Sequence, residues 1–333
     1  MDVLIIGGSK FLGPHLVDAL LARGHSVTLF NRGRAQPSAP QGVARIAGDR
    51  ERDLALVTGR YDAVIDTCGY VPRIVELSVH ALGPSVAHYT FVSSISVYAD
   101  PLDGTRGEDE PLATIPDETV EEITAETYGP LKALCEAQVR RGMNGRSLVV
   151  RPGLIVGPLD PTDRFTYWPH RFALGGDVLV PGDRDHGLSI IDVRDLASFV
   201  VGSIEKGVTG TFNVSGDPAT STMGELVDAC VDAAGTPARP VWVDEAFLAE
   251  NDVQPWSDLP AWLPPGSDSL MWASSARAVG QGLTYHPIAQ TVGATLEWTR
   301  RAGLDRTLKA GLTAQREAEL LARFRERPPS PKD

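Results

Sequence analysis

The chain opens on a short apolar run, Val3-Leu-Ile-Ile6, followed at once by Gly7-Gly-Ser-Lys-Phe-Leu-Gly13. The run is rich in β-branched residues and does not alternate with polar ones, as expected of a central parallel strand buried on both faces. After the glycines, Leu12, Leu16, Ala19 and Leu20 recur at helical spacing up to Arg23. Strand, glycine turn and helix form the first βα unit of a doubly wound sheet. Glycine is needed in such a turn because no Cβ then stands between the backbone N–H groups and a pyrophosphate seated at the helix N-terminus. The whole turn, Gly7, Gly8, Ser9, Lys10, Phe11, Leu12 and Gly13, is therefore a candidate dinucleotide cradle. Its middle glycine is replaced by Lys10.

The βα rhythm continues. Strands are expected at Ser26–Phe30, Val43–Ala47, Tyr61–Asp66, His88–Ser93 and Ser147–Arg151, with helical stretches between them. Ligands of such sheets bind beyond the carboxyl ends of the strands, where Asn31, Arg32, Asp49, Thr67, Cys68, Gly69, Ser94 and Pro152 fall. No carboxylate ends the second strand to receive a ribose 2′-hydroxyl. Asn31-Arg32-Gly33-Arg34 stands there instead, and with Lys10 it favours the 2′-phosphate of NADP(H), while leaving NAD(H) open.

Tyr128 and Lys132 are four residues apart and share one helix face. Pro130 fits the first turn of that helix, which would put Tyr128 at its mouth. A phenol titrates near pH 10, so bringing it to neutrality takes about 3 units, or roughly 4 kcal/mol. A neighbouring ammonium and a cationic nicotinamide are the opposite charges that could supply this. Ser94 would hydrogen-bond the same substrate oxygen. Taken singly, Tyr128 and Lys132 also read as surface helix residues, and Ser94 as a serine capping its own backbone.

Together these segments resemble the extended short-chain dehydrogenase/reductase superfamily, the NAD-dependent epimerase/dehydratases. The resemblance runs from Gly7–Gly13 through Ser94-Ile-Ser-Val-Tyr98, Glu108-Asp-Glu-Pro-Leu112, Tyr128 with Lys132, and Arg151-Pro152. It continues through Val156-Gly-Pro158, Asp192-Val-Arg-Asp-Leu-Ala197 and Asn213-Val-Ser-Gly216. The run Lys10-Phe-Leu-Gly13 is similar to the branch that holds chloroplast stem-loop-binding relatives. The resemblance implies a Rossmann-like α/β fold with a smaller mixed α/β substrate domain. It also implies that Ser94, Tyr128 and Lys132 are catalytic and that Pro152 lies near the nicotinamide. The dinucleotide domain would comprise residues 1–158 and about 187–216. The substrate domain would comprise about 159–186 and 217–327, and residues 328–333 would form a tail.

The departures are informative. Ile95-Ser96 follows Ser94 where sugar-nucleotide 4,6-dehydratases carry Asp-Glu, which speaks against elimination. Leu154 and Leu188 replace an Asn and an Arg of UDP-sugar epimerases, leaving Arg164, Arg171, Arg184 or Arg194 to supply that charge. The expected activity is therefore NAD(P)(H)-dependent oxidation or reduction at a secondary alcohol or ketone of a sugar-like molecule, as a reductase, dehydrogenase or epimerase. The alternative is a non-catalytic dinucleotide sensor, or an RNA-associated protein, on the same fold.

Composition narrows the partners. The formal charge is −12, from 43 acidic and 31 basic residues, and Glu108, Asp109, Glu110, Asp117, Glu118, Glu121 and Glu122 crowd one stretch between Asp100 and Glu126. That stretch reads as a solvated loop or as a lid unfavourable to polyanions, and the charge as a whole opposes nucleic acid. No apolar run reaches membrane-span length, and the first strand leaves no room for a leader, so a cytoplasmic protein is expected. Cys68, Cys135 and Cys230 stand at unrelated spacings and read as buried thiols. No metal-ligand cluster stands out among the seven histidines. By resemblance, a homodimer is expected.

Overall fold

The computed structural model describes residues 1–34, 40–99, 106–217, 220–267 and 271–327. The expected tail at 328–333 and the start of the acidic stretch at Asp100 lie outside them. In chain order the strands are β1 (Asp2–Ile6), β2 (Ser26–Asn31), β3 (Val43–Ala47), β4 (Ala63–Asp66), β5 (His88–Val92), β6 (Ser147–Pro152), β7 (Leu154–Val156), β8 (Gly176–Pro181), β9 (Ile190–Asp192), β10 (Gly210–Val214) and β11 (Ala238–Val243). The helices are α1 (Leu12–Ala22), α2 (Pro72–Leu82), α3 (Ala125–Met143), α4 (Tyr167–Ala173), α5 (Val193–Glu205), α6 (Met223–Ala234), α7 (Glu245–Glu250), α8 (Ala276–Gly280), α9 (Ile288–Ala302) and α10 (Ala314–Glu326).

The chain forms two compact units. The first holds residues 1–155, 191–215 and 269–285. Its sheet has seven parallel strands in the order β10-β6-β5-β4-β1-β2-β3. The unbroken apolar run of β1 has its reason in the packing. Val3 and Ile5 join the core on one face with Leu16 and Leu20 of α1 and Leu196 and Val200 of α5. Leu4 and Ile6 join the other core, with Val75 and Val79 of α2 and Val139 of α3. A strand covered on both sides has no polar face to display. The strand order reverses between β1 and β4, so their carboxyl ends flank the crevice where doubly wound sheets take ligands.

The second unit holds residues 156–190, 216–268 and 286–333. Here β8 pairs in parallel with β11, and Phe165, Tyr167, Trp168 and Phe172, on and beside α4, are fully buried. These aromatics are core, so a ligand pocket is not their first role. Glu317 of α10, buried, receives the N–H of Leu179 at 3.0 Å and the Arg171 Nε at 2.5 Å, tying the last helix to β8 and α4.

Candidate active site

The turn after β1 is built by close approach. Gly7 (φ +92°) and Gly8 (φ +70°) adopt left-handed conformations, and a Cβ on Gly7 would stand 2.6 Å from the Thr67 hydroxyl. A Cβ on Gly13 would stand 2.2 Å from the Gly8 carbonyl, so only glycine lets α1 start so near the strand. Two side chains lock the turn. Thr67 donates to the Ile6 carbonyl (2.9 Å) and accepts from Gly8 N–H (3.1 Å). Asn31 donates to the Gly7 carbonyl (2.8 Å) and accepts from Gly33 N–H (2.9 Å). Phe11, preceding α1, takes φ +41°, a conformation costly for a non-glycine residue. Ser9 is half-buried beside it and Lys10 is exposed. The replaced glycine thus leaves the cradle open, with a cation at its lip.

At the neighbouring edge, Arg32 and Arg34 are exposed, and Arg45 of β3 brings its guanidinium within 3.3 Å of where a Gly33 Cβ would lie. Sequence reading missed Arg45; alternation along β3 was its signal. Asp49 closes its own turn, accepting from Glu51 N–H at 3.0 Å. Behind the cradle, Asp66 is fully buried and paired with Arg50 (2.7 Å), and it accepts from the Tyr89 hydroxyl (3.0 Å). Burial would raise the Asp66 carboxyl, but Arg50 reverses this and holds it below the usual carboxylate range. Burial and the Asp66 charge push the Cys68 thiol up. Contrary to the expectation of three buried thiols, Cys68 is only half-buried.

The remaining groups converge from β4, β5 and α3. Ser94 follows β5 and caps the short turn Ile95–Val97, accepting from Ser96 N–H at 3.1 Å and donating to the Ser96 hydroxyl at 3.0 Å. Tyr128 lies near enough for the Ser94 hydroxyl to act on its titration. Their meeting depends on Gly129, whose Cβ would stand 2.1 Å from the Ser96 carbonyl. A glycine beside Tyr128 was the overlooked signal of that close approach. The expectation for Pro130 is corrected: α3 begins at Ala125, capped by Thr124, and Pro130 sits inside the helix, past its first turn. A reciprocal cap sets the early start, with Thr124 N–H donating to the Thr127 hydroxyl at 2.8 Å. Tyr128 still lies in the first turn. The ring of Pro130 deprives only a carbonyl near the helix mouth of its intrahelical partner.

Burial pushes the Tyr128 hydroxyl up and the neighbouring Ser94 hydroxyl pulls it partly back, so it is raised; the lowering expected from sequence called on the charge of a nicotinamide as well. Lys132 is buried, and its ammonium donates to the carbonyls of Gly69 (2.8 Å) and Val92 (2.6 Å). It lies 4.3 Å from the Phe91 ring centre and 5.3 Å from that of Tyr70. Burial lowers it to about 8. Tyr70 in turn stands 6.4 Å from the Tyr128 ring. One turn further along α3, buried Glu136 receives Arg151 through both oxygens (2.9 and 2.7 Å) and the Ser93 hydroxyl (2.6 Å). Arg151 also donates to the Tyr98 hydroxyl (3.0 Å), which donates to Asn213 (2.6 Å). Tyr98, Arg151 and Asn213 therefore brace the strands beneath the site. Pro152 ends β6, buried, and the following Gly153 leaves no room for a Cβ beside Ser215.

Of the four arginines weighed as substitutes for the missing one, Arg171 is held by Glu317, Arg184 by Asp228 (2.5 Å) and Arg194 by Asp192 (2.6 Å). Arg164 lies over the Trp256 ring, 5.2 Å from its centre. Among the described residues no cluster of His, Cys, Asp and Glu is arranged to hold a metal, and no helix is long and apolar enough to cross a membrane.

A seven-stranded parallel sheet with a glycine turn at its switch point, and a serine, tyrosine and lysine beside it, is a Rossmann-like α/β fold. Residues 65–215 match the model of the NAD dependent epimerase/dehydratase family. The chain is 29% identical over 255 residues to the chloroplast stem-loop binding protein of 41 kDa b from Arabidopsis thaliana, covering 71% of this chain and 64% of that one, under two thirds of the relative's length. Among solved structures it is similar to UDP-glucuronic acid 4-epimerase from Bacillus cereus in complex with NAD (TM-score 0.65, 16% identity, 91% of this chain and 99% of that chain). It is also similar to the human epimerase family protein SDR39U1 with NADPH (TM-score 0.59, 21% identity, 89% and 99%).

Proposed function

We propose that this protein is an NADP(H)-dependent oxidoreductase that reduces a ketone, or oxidises the corresponding secondary alcohol, in a sugar-like small molecule. The observation that carries this reading is the placement of Ser94 and Tyr128 as half-buried neighbours, with buried Lys132 one turn along the helix. Backbone N–H groups of the Gly7–Gly13 turn would hold the pyrophosphate, and Arg32, Arg34 and Arg45 the 2′-phosphate. Asp49, Thr67, Cys68, Gly69 and Pro152 would line the rest of the dinucleotide. When bound, the nicotinamide supplies or accepts a hydride.

The chain's own residues handle the proton. Tyr128, raised by burial, is a neutral phenol at pH 7 and donates its proton to the substrate oxygen as negative charge develops there. Ser94 Oγ donates a second hydrogen bond to that oxygen. Lys132 keeps a positive charge near the site below about pH 8. Ready proton donation favours the reductive direction. The excess of 43 acidic over 31 basic residues weighs against an RNA-binding role.

The test is cofactor content of the fresh protein, titration with NADPH and NADH, and a screen of ketoses and keto-sugars by NADPH absorbance. Reversible binding with NADPH tighter supports a reductase. Tightly retained cofactor would instead favour an epimerase, and failure to bind either nucleotide would overturn the reading. On any substrate found, Tyr128→Phe should lower turnover roughly 100- to 10,000-fold with NADPH affinity unchanged.

A further inference from the structure

We propose that Tyr70 is a positioning residue that acts through Lys132: its ring is the outer wall of a box that shuts the ammonium off from water. That Lys132 belongs to a reacting site rests on the function proposed above; the box rests on the packing around the ammonium.

The first observation is how the charge is held. Lys132 is 2% exposed, and two of its three ammonium N–H groups go to the carbonyls of Gly69 and Val92. The carboxylates that act on it, Asp66 and Glu136, are already engaged by Arg50 and Arg151. Two aromatic rings face the ammonium, Phe91 with its centre at 4.3 Å and Tyr70 at 5.3 Å. Such a ring face attracts a cation, and more strongly where water is excluded. Phe91, on β5, is fully buried, whereas Tyr70 is 42% exposed. Tyr70 is therefore the ring on the water side. Its hydroxyl, partly withdrawn from water and beside Tyr128, is raised to about 12, so the ring meets Lys132 as a neutral face and not as a counter-ion.

The second observation is the backbone that brings ring and carbonyl to one ammonium. Gly69 and Tyr70 lie in the turn between β4 and α2. A Cβ on Gly69 would stand 2.5 Å from the Phe91 ring and 2.7 Å from Val75, so only glycine lets this turn lie against β5. Pro72 opens α2 directly afterwards and confines Val71 to extended backbone, which stiffens the far end of the turn. On its other side the Tyr70 ring stands 6.4 Å from that of Tyr128. A lysine ammonium is strongly hydrated and rides on a flexible stem. The box removes both the water and the freedom, and fixes the charge one helical turn from Tyr128.

The test is a pH titration of the cofactor-free full chain labelled with [ε-13C]lysine and followed by NMR. The chain has five lysines, and the Lys132 signal is the one missing from Lys132→Met. Its midpoint is expected at about 8 in the wild type and in Tyr70→Phe, which keeps the ring. Tyr70→Ala opens the box, and the midpoint should rise by about one unit or more toward the ordinary lysine value. The other groups that act on Lys132, namely Cys135 and Glu136 of α3, Asp66 of β4 and Cys68 just after it, are the same in every variant. A midpoint left unchanged by Tyr70→Ala overturns the proposal. So does a wild-type midpoint near 10.5, or a rise in Tyr70→Phe equal to that in Tyr70→Ala. Should Tyr70→Ala prove unfolded by circular dichroism, Tyr70→Gln, polar and without a ring, is read in its place with the same rise expected. NADPH titration reads the proposed function separately: protein that fails to bind it while Lys132 titrates as expected sinks that function and leaves Tyr70 as the wall of the box.

Discussion

The glycine turn after β1 and the two loops that carry Arg164 and Trp256 reach positive φ by opposite means. At the turn, the residues are Gly7 and Gly8, for which the conformation costs little. In the loops of the second unit they are Leu159, Asp163, Trp256 and Ala261, each strained by roughly 1 kcal/mol or more. The difference follows from what each backbone must do. The turn has to bring its own N–H groups against a ligand, so a Cβ is excluded by space as well as by dihedral angle. In the loops the strained positions carry side chains, and the surrounding hydrogen bonds and packing hold the conformation.

The largest effect should come from forcing a Cβ into the turn. Gly13→Ala places a methyl 2.2 Å from the Gly8 carbonyl and should abolish NADPH binding and destabilise the protein by about 3 kcal/mol. Thermal unfolding with a fluorescence titration reads both, and wild-type behaviour would refute the packing argument for the cradle.

Next is a contrast in charge. A guanidinium stays charged at all working pH values, but the Lys132 ammonium titrates. Its pKa falls from 10.5 to about 8 on burial, so between those values the unfolded chain binds a proton that the folded one has released. Stability should therefore gain a rising contribution across pH 8 to 10.5. Lys132→Met should remove that contribution while abolishing turnover. Urea titrations at several pH values measure it, and parallel curves for the two proteins would mean that Lys132 is not depressed.

The smallest effect should be at Leu159, 38% exposed with φ +69°. Leu159→Gly relieves the dihedral and loses little burial, so stability should change by less than about 1 kcal/mol, in the stabilising direction. A large loss would show that the side chain, and not the surrounding loop, holds the conformation.

How legible each region was follows from the same contrast. The strands of the first unit stood close to their observed ends, because an apolar run covered on both faces carries its signal locally. The start of α3 was misjudged because Pro130 is a strong local stop, while the cap formed by Thr124 and Thr127 is subtler and sets the earlier boundary. Arg50, which neutralises buried Asp66 from 16 residues away, had no sequence signal at all. The approach of α3 to the Ser96 carbonyl did have one, in the helical glycine at 129.

By itself the sequence determined the strand–glycine turn–helix opening, the parallel rhythm and the Ser94, Tyr128 and Lys132 set, because periodicity, glycine and short spacing act between near neighbours. Only the tertiary structure decided where the charges go. The Lys132 ammonium turns to the carbonyls of Gly69 and Val92, Arg151 to Glu136, and Arg164 to an indole rather than a carboxylate. A long cationic side chain can reach many acceptors, and which of them is near is set by strands and loops distant in the chain.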